Sequence, residues 1–177
     1  KTMDEFRKSV PLTTYEDYAD TLLNKREEDL PSKPKEWVQT TWKGGDQPIK
    51  LAPYSQGMIE EHTKMFLSTL ILSTSKKRGH FNLRNFDRFL YGMAPIPYLT
   101  GYAPYILKNE IDFEYLPSTE KAEELSFRDR NKEGFKLAMK HGADLFFGLS
   151  SVLVKIGEAY QDSSNSSSSL PMPGNMK

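Results

Sequence analysis

Apolar positions in this chain come in short periodic runs, divided by polar and proline-rich breaks, and the period switches between helical and extended. Tyr15, Tyr18, Ala19, Leu22 and Leu23 follow i, i+3, i+4, i+7 and i+8, the stripe of an amphipathic helix. Thr13 and Glu16 have capping-box spacing at its start. Pro31 and Pro34 bracket a loop. Glu36 to Thr41 alternates as a strand does, and Ile49-Lys50-Leu51 reads as a second strand after a glycine-rich turn. Ser55 is placed to cap a helix running to about Ser73, with Met58, Ile59, His62, Met65, Phe66, Thr69 and Leu70 on one face.

Phe86 to Met93 predicts a strand stopped by Pro95 and Pro97. Tyr98 to Leu107 is a loop or short helix, and Ile111 to Leu116 fits helix and strand equally. Ser126 and Asp129 again have capping spacing, opening a helix that Gly142 closes. Asp144 to Gly148 is a compact apolar strand. Ser150 or Ser151 then begins a helix with Leu153, Ile156, Gly157 and Tyr160 on one face. Helix, strand, turn and helix in this order predict an α/β fold, a mixed sheet flanked by helices. Residues 1–162 read as one partial domain. Residues 163–177, nearly all serine and then Pro171, Pro173 and Gly174, have the composition of a flexible tail. There is no internal repeat.

Composition narrows the function classes. The 177 residues are 37% hydrophobic and 12% aromatic, which suits a folded core. The net charge of +0 supplies no global field to recruit nucleic acid or an anionic membrane, and neither is expected as a partner. With no cysteine there is no disulfide or thiolate metal site, and a reducing, cytoplasmic setting is expected. No apolar run approaches the roughly 20 residues that span a bilayer. The opening Lys1-Thr2-Met3-Asp4 reads as a stretch of something longer.

Candidate chemistry centres on Thr40-Thr41-Trp42-Lys43-Gly44-Gly45-Asp46-Gln47-Pro48-Ile49-Lys50. Glycines let backbone amides approach an anion, hydroxyls add donors, and a lysine adds charge, as in a phosphate cradle. The same residues between two strands also make an ordinary β-hairpin, with Lys50 an exposed strand lysine. The GxxxxGK[ST] spacing of a Walker loop is absent. His62, His80 and His141 have no metal-ligand spacing, and no metal site is predicted. His62 fits a packed helix face, and His141 a favourable charge at a helix C-terminus. Lys76-Lys77-Arg78 reads as a solvated turn, and Glu16, Asp17 and Asp20 as helix-start and surface acids. Pro95 to Tyr102, rich in proline and aromatics, fits either a rigid loop or the wall of a pocket.

Val10-Pro11-Leu12-Thr13-Thr14-Tyr15-Glu16-Asp17-Tyr18, followed by the glycine turn and its Pro48-x-Lys50-Leu51-x-Pro53-Tyr54-Ser55 exit, resembles the adenylate-forming superfamily. The branch it is most similar to holds the plant auxin-responsive acyl-acid amido synthetases and the phenylacetate–CoA ligases. Asp144 to Leu153 resembles that family's strand–GxPS–helix element, so the likeness runs from about Phe6 to Tyr160. It implies the N-terminal part of the large domain of an adenylate-forming enzyme. The implied cofactors are ATP and Mg²⁺, and the implied activity is acyl-adenylate formation from a carboxylic acid, with transfer to an amine or CoA. It implies phosphate contacts from Thr40, Thr41, Lys43, Gly44, Gly45 and Lys50. It also implies an acyl pocket near Tyr98, Thr100, Gly101, Gly148, Ser150 and Ser151. The family's later adenine- and ribose-binding motifs and its mobile lysine have no counterpart here, so no turnover is expected of this stretch alone.

The loop departs from the family pattern. Trp42 and Lys43 stand where a small serine and a glycine are expected, and Ile49 separates Pro48 from Lys50. Trp42 lacks a serine's hydroxyl and a glycine's backbone freedom, whereas Lys43 adds a second charge for a phosphate. Two alternatives therefore stand beside the enzyme. One is a non-catalytic relative that keeps the fold with a degenerate loop; the other is an unrelated α/β interaction domain.

Overall fold

The computed structural model describes residues 2–41 and 49–166, and shows a mixed α/β chain of two compact units, Lys1–Ile59 and Glu60–Lys177. Each unit has its own sheet, so the strands are divided between an antiparallel pair and a parallel three-stranded sheet rather than joined in one mixed sheet.

The first unit opens with helix α1, Met3–Ser9, which the apolar pattern did not announce because its apolar residues stay exposed. Its start is local chemistry: Thr2 Oγ1 accepts from Glu5 N–H and Glu5 Oε2 accepts from Thr2 N–H. The capping box expected at Thr13 and Glu16 falls one residue later. Asp17 accepts from both the N–H and the hydroxyl of Thr14, at 2.7 and 3.1 Å. The expected helix is accordingly split into a 3₁₀ turn, Tyr15–Asp17, and the short helix α2, Ala19–Leu23. Strands β1, Glu36–Thr41, and β2, Ile49–Tyr54, then pair antiparallel from Glu36↔Tyr54 to Thr41↔Ile49.

Helix α3, Gln56–Thr74, starts in the first unit, where Ser55 Oγ accepts from Met58 N–H as the sequence predicts. Its body belongs to the second unit. Phe66 and Leu70 of the predicted stripe pack there, joined by Leu67 and Ile71, whereas Met58 and Met65 of that stripe are exposed. After it come β3, Arg88–Gly92; α4, Leu99–Leu107; β4, Glu114–Leu116; α5, Thr119–Glu124; α6, Phe127–His141; β5, Leu145–Gly148; and α7, Ser150–Ser166. The sheet order is β4-β3-β5, all parallel, with β3 central. Strand β3 begins two residues later than predicted, after Phe86, whose φ of 66° is incompatible with an extended strand.

Alternation along the strands sorts the side chains to two faces. Phe89, Tyr91, Phe113, Tyr115 and Phe147 lie in one aromatic layer, with Tyr91 and Phe147 stacked at 5.8 Å and Phe89 and Tyr115 at 5.6 Å. This layer joins Leu70, Leu83, Leu107 and Ile111 in the core. The opposite face meets α6. A Cβ on Gly134 would lie 2.8 Å from the Leu116 carbonyl oxygen and 2.9 Å from Leu90 Cδ1. Only glycine lets α6 come this close to the sheet. No helix among the described residues is long and apolar enough to cross a membrane.

Candidate functional site

Strands β3 and β4 run parallel, so the residues that follow them emerge at one end of the sheet. Open α/β sheets bind ligands at that end. Here it carries a small cleft with a cavity of about 30 Å³. Its walls are mostly apolar: Tyr91, Met93, Pro95 and Ile96 after or on β3, Pro104 from α4 and Pro117 after β4.

Two relationships set the wall made by α4. Pro104 lies inside that helix and has no N–H to return to the Thr100 carbonyl. The Tyr91 hydroxyl donates to that carbonyl instead, at 2.6 Å. Gly101, beside it, has no room for a side chain, because a Cβ would sit 2.0 Å from the Pro95 carbonyl carbon. The loop after β3 is therefore pressed onto the start of α4, where the Thr100 hydroxyl also donates to the Ala94 carbonyl at 3.2 Å.

The floor is polar. Arg130 lies in the first turn of α6, is 2% exposed, and lines the cleft. Its Nη1 donates to the Ala122 carbonyl at 3.5 Å, and its guanidinium carbon stands 5.3 Å from the Phe127 ring centre. Its Nε and Nη2 are buried with no partner, and so is the hydroxyl of Tyr115, which lines the same cleft. No carboxylate among the described residues pairs with Arg130. The acid on the cleft wall, Glu123, accepts from the Tyr105 hydroxyl. Burial lowers the Arg130 pKa from the ordinary arginine value, yet a guanidinium stays charged at neutral pH. Burial also raises the Tyr91 and Tyr115 hydroxyls, with the Asp112 carboxylate adding to the effect on Tyr115. Both remain protonated donors. Next to Arg130, buried Asn131 donates to the Phe127 carbonyl at 2.7 Å.

The residues proposed for phosphate lie in the other unit. Thr40 and Lys50 face each other across the hairpin, Thr40 exposed. The Lys50 ammonium stands 4.8 Å from the Tyr15 ring centre. Tyr15 fixes β2 there, its hydroxyl accepting from Leu51 N–H at 2.9 Å and donating to the Leu51 carbonyl at 3.2 Å. Thr41 ends β1, while Trp42, Lys43, Gly44 and Gly45 lie outside the described residues. A hydroxyl and an ammonium at the mouth of a hairpin are donors that suit phosphate oxygens. Among the described residues there is no cluster of acids or histidines that would hold a metal ion.

Of the residues proposed for the acyl pocket, Gly101 lines the cleft and Thr100 holds Tyr91. Tyr98 caps α4 without lining the cleft, and Gly148, Ser150 and Ser151 end β5 and begin α7 away from its walls. Arg130, Tyr115 and Pro104 were not anticipated. One sequence signal for Arg130 existed. Gly134 interrupts a strong helical segment at a cost of about 1 kcal/mol, which marks a face in close contact, and Arg130 is one turn before it on that face. No protein-family model, no curated protein and no solved structure matches this chain.

Proposed function

We propose that this chain is the N-terminal part of the large domain of an ATP-dependent carboxylic-acid-activating enzyme, related to the acyl-acid amido synthetases and phenylacetate–CoA ligases. The observation that carries the reading is an apolar cleft at the carboxyl ends of parallel strands with a buried cation in its lining. In its chemistry, though not in its present volume, that lining suits a small acid with an apolar body. The residue order from Val10 through Lys50 to Ser151 supports it independently.

In this reading Tyr91, Pro95, Ile96 and Pro104 exclude water from the acid's body. Thr40 and Lys50, with Thr41, Lys43, Gly44 and Gly45, would hold phosphate oxygens. ATP, when bound, supplies the leaving group that a carboxylate oxygen lacks. The protein's share is to align and neutralise the reactants. The acceptor in the second step would be an amine or CoA.

Trp42 and Lys43 favour a second reading, a relative that retains the fold without ATP chemistry. ATP–pyrophosphate exchange separates the two, measured on the full-length gene product with benzoate and other small acids. Acid-dependent exchange supports the enzyme. No exchange, no thermal shift with ATP and Mg²⁺, and a shift restored by Trp42→Ser with Lys43→Gly would overturn it in favour of the degenerate relative.

A further inference from the structure

We infer that helix α5 is a lid over the polar floor of the cleft, latched shut by Tyr105 on Glu123, and that its opening is what brings solvent to Arg130 and Tyr115. The inference rests on the proposed function only in taking the cleft as a binding site; the lid itself is argued from how α5 is held.

The six residues of α5, Thr119–Glu124, include none that is buried. Glu120, Lys121, Glu123 and Glu124 are exposed, while Thr119 and Ala122, one turn apart, are half-buried and rest on the cleft. Both are small, so the helix gives up little apolar contact by leaving. On either side the backbone is extended, at Ser118 and at Leu125. Helix α6 then starts on its own cap, Ser126 Oγ accepting from Asp129 N–H at 3.1 Å. Helix α5 is thus a separate piece between two bends, and a helix this short has no stability of its own.

Among the described residues, two hydrogen bonds tie α5 to the cleft. The Tyr105 hydroxyl donates to Glu123. Tyr105 is 43% exposed, so water competes for that bond. Arg130 Nη1 donates to the Ala122 carbonyl at 3.5 Å, longer than an ordinary bond of this kind.

The shut position also has a cost beneath it. Arg130 Nε and Nη2 and the Tyr115 hydroxyl are closed off from water with no partner. Buried donors are nearly always paired, and an unpaired buried charge is costlier still. The cavity beside them, about 30 Å³, has room for a water and nothing larger. Moving Thr119 and Ala122 aside hydrates all three atoms and breaks one long hydrogen bond. Weak attachment above and dehydrated donors below both favour opening, which places α5 at the low-stability end of the fold.

The test is amide hydrogen exchange, read by mass spectrometry on the full-length protein without ligand, for wild type, Tyr105→Phe, Glu123→Gln and Arg130→Met. In wild type, peptides covering α5 should exchange about 100-fold or more faster than those covering β3, through local opening. Tyr105→Phe should speed α5 exchange about 5- to 10-fold further and leave β3 unchanged, and Glu123→Gln should do the same to a smaller extent. Arg130→Met should slow α5 exchange a few-fold, because shutting the lid no longer dehydrates an unpaired cation. A residue that merely packed the cleft would have the opposite effect when replaced. Exchange of α5 no faster than β3 overturns the lid. So does Tyr105→Phe that alters both peptides alike or neither, or Arg130→Met that leaves α5 as fast or faster. Pyrophosphate exchange by a protein whose α5 opens only with β3 overturns the lid and leaves the enzyme. Opening of α5 as described, without any pyrophosphate exchange, supports the lid and counts against the enzyme.

Discussion

The Tyr91 hydroxyl takes the carbonyl of Thr100 that Pro104 leaves without a helical partner, at 2.6 Å. A proline inside a helix and a tyrosine on the central strand are thus one device. It fixes α4 against β3 at the cleft wall and keeps a partly buried carbonyl satisfied.

Removing the Tyr91 hydroxyl should therefore be costly only while Pro104 is present. Tyr91→Phe is expected to destabilise the protein by about 1–2 kcal/mol, the range for an acceptor left unpaired. Pro104→Ala restores a backbone N–H that can donate to the Thr100 carbonyl. In that background the cost of Tyr91→Phe should fall well below about 1 kcal/mol. Urea denaturation of the four proteins measures the coupling. Equal costs in both backgrounds would show that the two residues act separately.

Gly134→Ala sets helix propensity against packing. Alanine gains about 1 kcal/mol in a helix interior over glycine. The new Cβ, however, meets the Leu116 backbone oxygen at 2.8 Å, which cannot move aside as a side-chain tip can. Overpacking of this kind costs about 1–3 kcal/mol, more when backbone must shift. The expected outcome is net destabilisation, read as a lower melting temperature. A rise would mean that α6 sits farther from the sheet.

Stability should decline on the alkaline side. Burial raises Tyr91 and Tyr115 above the ordinary phenol value, and burial with the neighbouring Glu123 pushes Tyr105 up to about 12 from 10.0. At about pH 11 the unfolded chain has released phenol protons that the folded chain still holds, so stability is lost as pH rises. The unfolding free energy should be level through neutral pH up to about 9, then fall from the unfolded tyrosine value of 10.0 upward through about 12. Absorbance titration at alkaline pH should show these phenols ionising late, and Tyr105→Phe should remove only its own part. Stability that stays level through the phenol titration would refute the account.

Much of the local structure was legible. Ser55 caps α3, Ser126 caps α6 and Gly142 ends it at φ 83°, because caps are short-range chemistry between residues close in sequence. The strands around the glycine turn were legible from alternation, and they pair as a hairpin. The capping box near Thr13 slipped by one residue, since neighbouring threonines and acids offer nearly equal geometries and only Asp17 engages both donors of Thr14. The Pro95–Tyr102 stretch was legible as a loop or a pocket wall, and Pro95, Ile96 and Gly101 do line the cleft.

The sequence by itself determined where many elements begin and end, the α/β class, and the stop of α6 at Gly142. The tertiary structure alone decided that the strands after the hairpin form a separate parallel sheet, that its carboxyl end is open, and that Arg130 is inside it. Periodicity reports which apolar residues avoid water, and it treats an arginine on a helix as a surface charge. Whether that arginine is buried depends on how closely two elements approach. That distance is set by Gly134 against Leu116, a contact between a helix and a strand that no local pattern encodes.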